Sequence, residues 1–184
     1  MAELLKPKNT NPRGIPEAPF IEKVDSVLKN PDTEFDNVMN LFQQRLQQYK
    51  YMELSKKQQL TDLQIKIPDI EKNLSIIKLI NEKKENNQHE LITNYELNDT
   101  LYNKAEINIK NLDSVYLWLG AEVMLEYKLD EAVELLNERL KKNQDQLNIV
   151  TEDLEFLKEN ITTMEVNTAR LYNWDVERRK KMKA

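Results

Sequence analysis

Few side chains in this sequence are placed to make or break covalent bonds. His89 is the single histidine, and no evident partner could turn it into half of a nucleophile–base pair. It sits at the end of a long helical pattern and reads as a solvated junction residue. The chain has no cysteine, which excludes a thiol nucleophile, a thiolate zinc site and a disulfide. No glycine-rich loop is present to cradle a phosphate. Acidic neighbours such as Glu152 and Asp153 read as a solvated helical face. Nothing has the clustered spacing of metal ligands. An enzyme is therefore not expected, and neither a cofactor nor a metal. What remains is adhesive chemistry. Phe35, Met39 and Phe42 near one helix start, and Met164, Leu171, Tyr172 and Trp174 near one helix end, are apolar side chains, and the aromatics and methionines among them adapt to varied apolar surfaces.

Two heptad-patterned stretches must position them. In the first, Phe35, Phe42, Tyr49, Leu63, Ile70 and Ile77 recur in one row. Met39, Leu46, Leu60, Ile67 and Leu74 recur in a second row, four residues on. Apolar side chains at such spacing form the seam of a coiled coil. The seam is faulty at Glu53 and Lys56 and again at Asn81 and Lys84. Pro68 lies inside the pattern, where it removes one backbone hydrogen bond. The pattern continues on both sides, so a kink is expected rather than a stop. The second stretch starts at Asp130, a good N-cap. It carries Val133, Leu140, Leu147, Leu154 and Ile161 in one row and Leu136, Val150, Leu157, Met164 and Leu171 in the other. At ~1.5 Å per residue, each helix should be roughly 75 to 85 Å long. Matched lengths suggest an antiparallel intrachain hairpin of helices. The rival is a parallel homodimer, in which matched lengths have no use.

Between the helices the period changes to 2, the signature of half-buried strands. Leu97, Leu101, Ala105, Ile107, Val115, Leu117, Leu119, Val123, Leu125 and Tyr127 are odd-numbered and apolar, while most even positions are polar. Strands are expected near 91–97, 100–109, 115–119 and 122–129. Asn98-Asp99 and Gly120-Ala121 supply the turns, because those residues tolerate left-handed backbone angles. The fold class is thus mainly α with small β: a long coiled-coil helical hairpin with two β-hairpins inserted between its helices. The expected organisation is a Pro-rich, partly disordered extension over 1–31, helix one over 32–88, the hairpins over 89–129, helix two over 130–178 and a basic tail over 179–184. Residues 1–14 are expected to be disordered or extended. Phe20, Val24, Val27 and Leu28 are spaced for a short amphipathic helix between Pro19 and Pro31.

The hairpins should not be stable alone. Each buried apolar side chain contributes about 1.5–3 kcal/mol, and both helices are engaged with each other, so no helix is expected to be free to cover the strands. Open strand edges pair with other chains. The strands therefore read as an assembly interface made by Leu97, Leu101, Ile107, Val115, Leu117, Trp118, Leu119, Val123, Leu125 and Tyr127. Only two glycines among 184 residues, with 32% charged residues, argue against a many-stranded globular fold and for long exposed helices. A net charge of −5 makes nucleic acid a poor partner. No apolar run is long enough for a membrane span and the start has no signal-peptide core. A cytoplasmic location, with the nucleus as the alternative, is expected.

At this point specific strings become recognisable. They are Arg13 to Ala18, Lys50 to Leu54, Ile67 to Ile70, Trp118 to Ala121 with Val123 to Tyr127, and Ala169 to Val176. In order across the chain, with two hairpins between two helices, the sequence resembles the α-class subunits of the prefoldin family. That resemblance implies a heterohexameric chaperone of two α-class and four β-class subunits, its hairpins forming β-barrels from which coiled coils project. It implies as partners the other prefoldin subunits, the cytosolic chaperonin, unfolded actin and tubulin, and the von Hippel–Lindau protein. Clients would be captured without ATP at the coiled-coil tips, which assigns client binding to Phe35, Met39, Phe42, Met164, Leu171, Tyr172 and Trp174. The heptad members of that set also serve as plain seam filling, whereas Tyr172 and Trp174 lie off the main seam. The basic run after Val176 reads as a solvated tail or as a contact for acidic surface. The competing reading is a structural or tethering coiled-coil subunit without client capture; such a tether has no reason to interrupt its heptads with apolar hairpins.

Overall fold

A computed structural model of the chain describes residues 9–26, 28 and 31–183. The fold is mainly α with a small β component. Helices α1 (Pro31–Glu85) and α2 (Leu129–Lys183) have 55 residues each. Between them lie β1 (Glu90–Asn98) paired antiparallel with β2 (Leu101–Asn108), and β3 (Ser114–Gly120) paired antiparallel with β4 (Val123–Lys128). By contacts the chain divides into two compact units, Met1–Asp62 with Leu147–Ala184, and Leu63–Gln146.

The first unit holds the N-terminal part of α1, the C-terminal part of α2 and a strap of residues 9–26 with Leu28. Its core joins Phe35, Val38, Phe42 and Tyr49 of α1 to Leu157, Met164 and Leu171 of α2, in antiparallel order. The strap adds Ile15, Ala18, Ile21, Val24 and Leu28 to the same core. The sequence reading expected an amphipathic helix here, but the described part of this stretch contains only one 3-10 turn, Val24–Ser26. Phe20, which that helix would have buried, is 56% exposed. The reason is a different period: Ile15, Ala18, Ile21 and Val24 recur every three residues, which suits an extended segment on a helix face. Residues 1–8, Val27, Lys29 and Asn30, also named in those expectations, lie outside the described residues.

The second unit holds the rest of both helices and the two hairpins. α1 runs through Pro68 without ending. It stops in a Schellman arrangement: Asn87 takes φ +54, its N–H donates to the Lys84 carbonyl, and the Gln88 N–H donates to that of Lys83. Asn tolerates that left-handed position better than most residues. In the second hairpin Ala121 (φ +49) and Glu122 (φ +61) form the turn, after Gly120 (φ +98). Two consecutive positive φ values match the right-handed twist of the strands.

One expectation is corrected here. The second hairpin does find cover in its own chain. Val115, Leu117, Leu119 and Tyr127 pack with Leu74, Ile77 and Ile80 of α1 and Ala132 and Leu136 of α2. The helices can do both jobs because a coiled-coil seam uses one stripe and leaves flanking positions such as Ile80 free to meet the sheet. The first hairpin receives no such cover; Ile92, Tyr95, Leu97, Leu101 and Tyr102 are all exposed. α2 also continues as helix through the basic run to Lys183, where cations suit the negative end of the helix dipole.

Pro68 leaves the Gln64 carbonyl without its helical donor, in an exposed stretch of α1. Replacing Pro68 with Ala should stabilise the second unit by roughly 3 kcal/mol. The measure is the rise in denaturation midpoint followed by far-ultraviolet circular dichroism.

Candidate functional site: an apolar groove and a strap-covered face

Both features lie in the first unit and are built on α2. The seam residues Leu157, Met164 and Leu171 point at α1 and are fully buried. To one side of them lie Glu165 and Tyr172, and to the other Asn160, Asn167 and Trp174, each set one heptad apart.

On the first side a groove of about 580 Å³ opens between the helices. Its lining is mostly apolar: Phe35, Met39 and Leu46 from α1, and Ala169 and Tyr172 from α2. Gln43, Glu165, Thr168 and Asn173 form its polar part. Lys50 reaches Glu165 at 2.8 Å. Tyr172 is 60% exposed, so its ring is offered to whatever enters. Such a surface can hold an apolar side chain without demanding one shape.

On the other side the strap is fixed by a polar ladder with seven-residue spacing: Asp153, Asn160, Asn167 and Trp174. Asn160 Oδ1 accepts from the Ala18 N–H. Asn167 Oδ1 accepts from the Ile21 N–H at 3.0 Å, and its Nδ2 donates to the Pro19 carbonyl at 2.7 Å. Arg170 donates to the Ile21 carbonyl at 2.9 Å and stacks over Phe20 at 4.7 Å. Trp174 Nε1 donates to Asp25 at 3.0 Å. From α1, the Tyr49 hydroxyl donates to the Pro16 carbonyl at 2.8 Å.

The first rung is ionic. Asp153 is 0% exposed, which corrects the reading of Glu152 and Asp153 as a solvated pair; only Glu152 faces solvent. Asp153 Oδ1 accepts from Asn11 Nδ2 at 2.8 Å and from Arg13 Nε at 2.7 Å. Oδ2 faces the Lys56 ammonium at 2.8 Å as an ion pair rather than an aligned hydrogen bond. Lys56 is one of the expected seam faults, and the buried carboxylate is what it serves. Burial pushes the Asp153 carboxyl upward, but Lys56 and Arg13 outweigh it and hold the group below the usual carboxylate range. Strap, α1 and α2 thus meet at a single side chain.

The expected client-binding residues separate into classes. Phe42, Met164 and Leu171 are buried in the seam and Phe35 nearly so. Met39, partly buried, lines the groove with Phe35 and Tyr172. Trp174 is engaged by the strap. Leu46 and Ala169, which complete the groove, were missed because they look like seam and filler. Asn160 and Asn167 were missed although their seven-residue recurrence is visible, since polar positions beside a seam ordinarily face water. Of the expected assembly residues, Leu97, Leu101, Trp118, Val123 and Leu125 are exposed; Leu117 is buried, and Ile107, Val115, Leu119 and Tyr127 are half-buried. Ile92, Tyr95, Tyr102, Tyr116 and Met124 add exposed apolar surface that was not in that set. Among the described residues, no three His, Cys, Asp or Glu side chains gather as a metal site, and no helix is long and apolar enough to cross a membrane.

Comparison with known proteins bears on all of this. The family described as Prefoldin, "Prefoldin subunit", matches residues 49–174. A protein named prefoldin subunit 3 from Saccharomyces cerevisiae is 48% identical over 189 residues, covering 100% of this chain and 94% of its own. The protein of that name from Homo sapiens is 46% identical over 169 residues, covering 91% of this chain and 84% of its own. Among solved structures, filamentous PFD from Methanocaldococcus jannaschii, seen by electron cryomicroscopy, matches with a TM-score of 0.51 at 12% identity. It covers 68% of this chain and 98% of that one, a likeness of fold. The family match begins at Tyr49, so the strap lies ahead of it.

Two measurements check the ladder. Asn167→Ala strands the Ile21 N–H and the Pro19 carbonyl and should lower stability by about 2 kcal/mol, read by chemical denaturation. The pH dependence follows from Asp153. A carboxyl held low in the folded state contributes stability above its unfolded pKa of about 3.9. That contribution fades as pH falls through the folded value, so stability should decline from about pH 5 downward. Asp153→Asn should flatten this decline, measured as denaturation midpoints across pH.

Proposed function

The chain belongs to the prefoldin family, and from that premise we propose that it is the α-class subunit of a heterohexameric chaperone, with one further α-class and four β-class subunits. It captures unfolded actin and tubulin chains and passes them to the cytosolic chaperonin without ATP, in the cytoplasm. The observation that carries this reading is the pair of apolar hairpins. Tyr102, Tyr116, Trp118 and Met124 are more than half exposed, on two-stranded sheets that are marginal in isolation. Such surface asks for neighbours of the same kind, and hairpins of sister subunits supply strand edges and apolar faces together. The von Hippel–Lindau protein, a partner implied by the family resemblance, stays outside this reading, since no surface here selects it.

Capture falls to the groove of the first unit. An unfolded chain presents apolar side chains in no fixed order. A groove lined by Met39, Phe35, Leu46 and an exposed Tyr172 accepts many of them weakly, and several such arms on one hexamer multiply weak contacts into retention. No bond is made or broken, so release needs only a competing surface.

Mixing the chain with the further α-class subunit and the four β-class subunits should give a hexamer by native mass measurement, and Trp118→Asp with Tyr116→Asp should leave the chain unassembled. Within the hexamer, Met39→Ser with Tyr172→Ser should weaken suppression of actin aggregation several-fold while leaving the mass unchanged. A chain that never assembles, or a groove variant that protects actin as well as wild type, would count against assembly or capture respectively.

A further inference from the structure

Resting on the capture function just described, we infer that the face of α2 beneath the strap is a binding track for extended polypeptide, and that the strap is its occupant in cis. The chemistry of the contacts is that of a peptide site. Asn160, Asn167 and Arg170 direct their polar atoms at strap main chain, at Ala18, Pro19 and Ile21. Main-chain groups are common to every polypeptide, so these bonds read extension rather than sequence. Selectivity comes from spacing. A helix rises about 10.5 Å in one heptad, and three extended residues span about 10–11 Å. The Asn160 and Asn167 side chains therefore hold N–H groups three residues apart, Ala18 and Ile21. The apolar side chains follow the same step: Ile15, Ala18, Ile21 and Val24 are all buried.

The ligand class is an extended segment with an apolar residue at every third position, kept from helix by prolines such as Pro16 and Pro19. An unfolded client offers segments of this kind. The floor of the track is the buried seam, including Phe42 and Met164, so replacing the strap heptad by heptad gives a client access to apolar surface that the folded chain covers. A tethered occupant acts at an effective concentration in the millimolar range, and the strap thereby sets a threshold that weak or short ligands do not pass.

The probe is a fluorescein-labelled peptide of residues 9–28, compared with a permuted peptide in which the three-residue spacing is broken, each titrated against the full chain by anisotropy. Ile15→Asp with Ile21→Asp frees the track of its own strap. This variant should bind the spaced peptide on the order of tenfold tighter than wild type does, and tighter than the permuted one. Adding Asn160→Leu and Asn167→Leu should abolish the gain. Equal binding of both peptides, or no gain on freeing the strap, overturns the track. Should the freed variant unfold, wild type decides: a saturating excess of spaced peptide must accelerate amide exchange at Ala18 and Ile21, and unchanged exchange overturns the proposal. Actin-aggregation suppression by the assembled hexamer is measured alongside. Intact suppression with no peptide gain refutes the track alone, whereas peptide binding with no suppression by any variant supports the track and refutes capture.

Discussion

An extended chain advances about 3.3–3.6 Å per residue and a helix about 1.5 Å, so three strap residues keep pace with seven of α2. Much of the first unit follows from this match. Ala18 and Ile21 meet Asn160 and Asn167 in step. Between the Asp153 and Asn160 rungs the strap runs from Asn11 to Ala18, more chain than one heptad can take up in extended form. The surplus is folded into a turn. Asn11 Oδ1 accepts from the Arg13 and Ile15 N–H groups, and Gly14 adopts φ +83, a left-handed angle that a side chain would strain.

The buried carboxylate at the head of the ladder explains a weakness in the coiled coil. Lys56 interrupts an apolar row of α1, and a lysine there packs poorly. Its ammonium meets Asp153 at 2.8 Å, and Arg13 from the strap meets the same group at 2.7 Å. Buried ion pairs add little net stability over well-packed apolar residues, but losing one partner is severe. A slip of α1 against α2, or of the strap along α2, would strip the buried Asp153 of one of its two cations. Register is what this arrangement secures, at a place where a uniform apolar seam would tolerate sliding.

The hairpins divide in a related way. Both carry apolar residues at odd positions, yet Val115, Leu117, Leu119 and Tyr127 of β3 and β4 lie on α1 and α2 while β1 and β2 leave Leu97 and Leu101 in solvent. The covered hairpin belongs to the same compact unit as the exposed one. Its opposite face, with Trp118 paired across from Met124, is then presented as a preformed surface rather than one that must order on contact.

Local periodicity was enough to determine the two helices, the four strands and the place of Pro68 within a continuing helix, because each depends on neighbours within a few residues. The groove was half legible: Phe35, Met39 and Tyr172 stood out by type, but whether a heptad residue faces the seam or the open side depends on the partner helix. Phe42 and Phe35 occupy the same row, and only packing makes one fully buried and the other part of a groove lining. Of the strap, only Val24 and Leu28 were legible as buried apolar positions, and its extended path was not. Its three-residue period resembles a helical one over so short a stretch, and the ladder that holds it looks like a solvated flank of α2. Asn11 to Asp153 and Ile21 to Asn167 are contacts across more than a hundred residues, and only the folded chain brings such positions together.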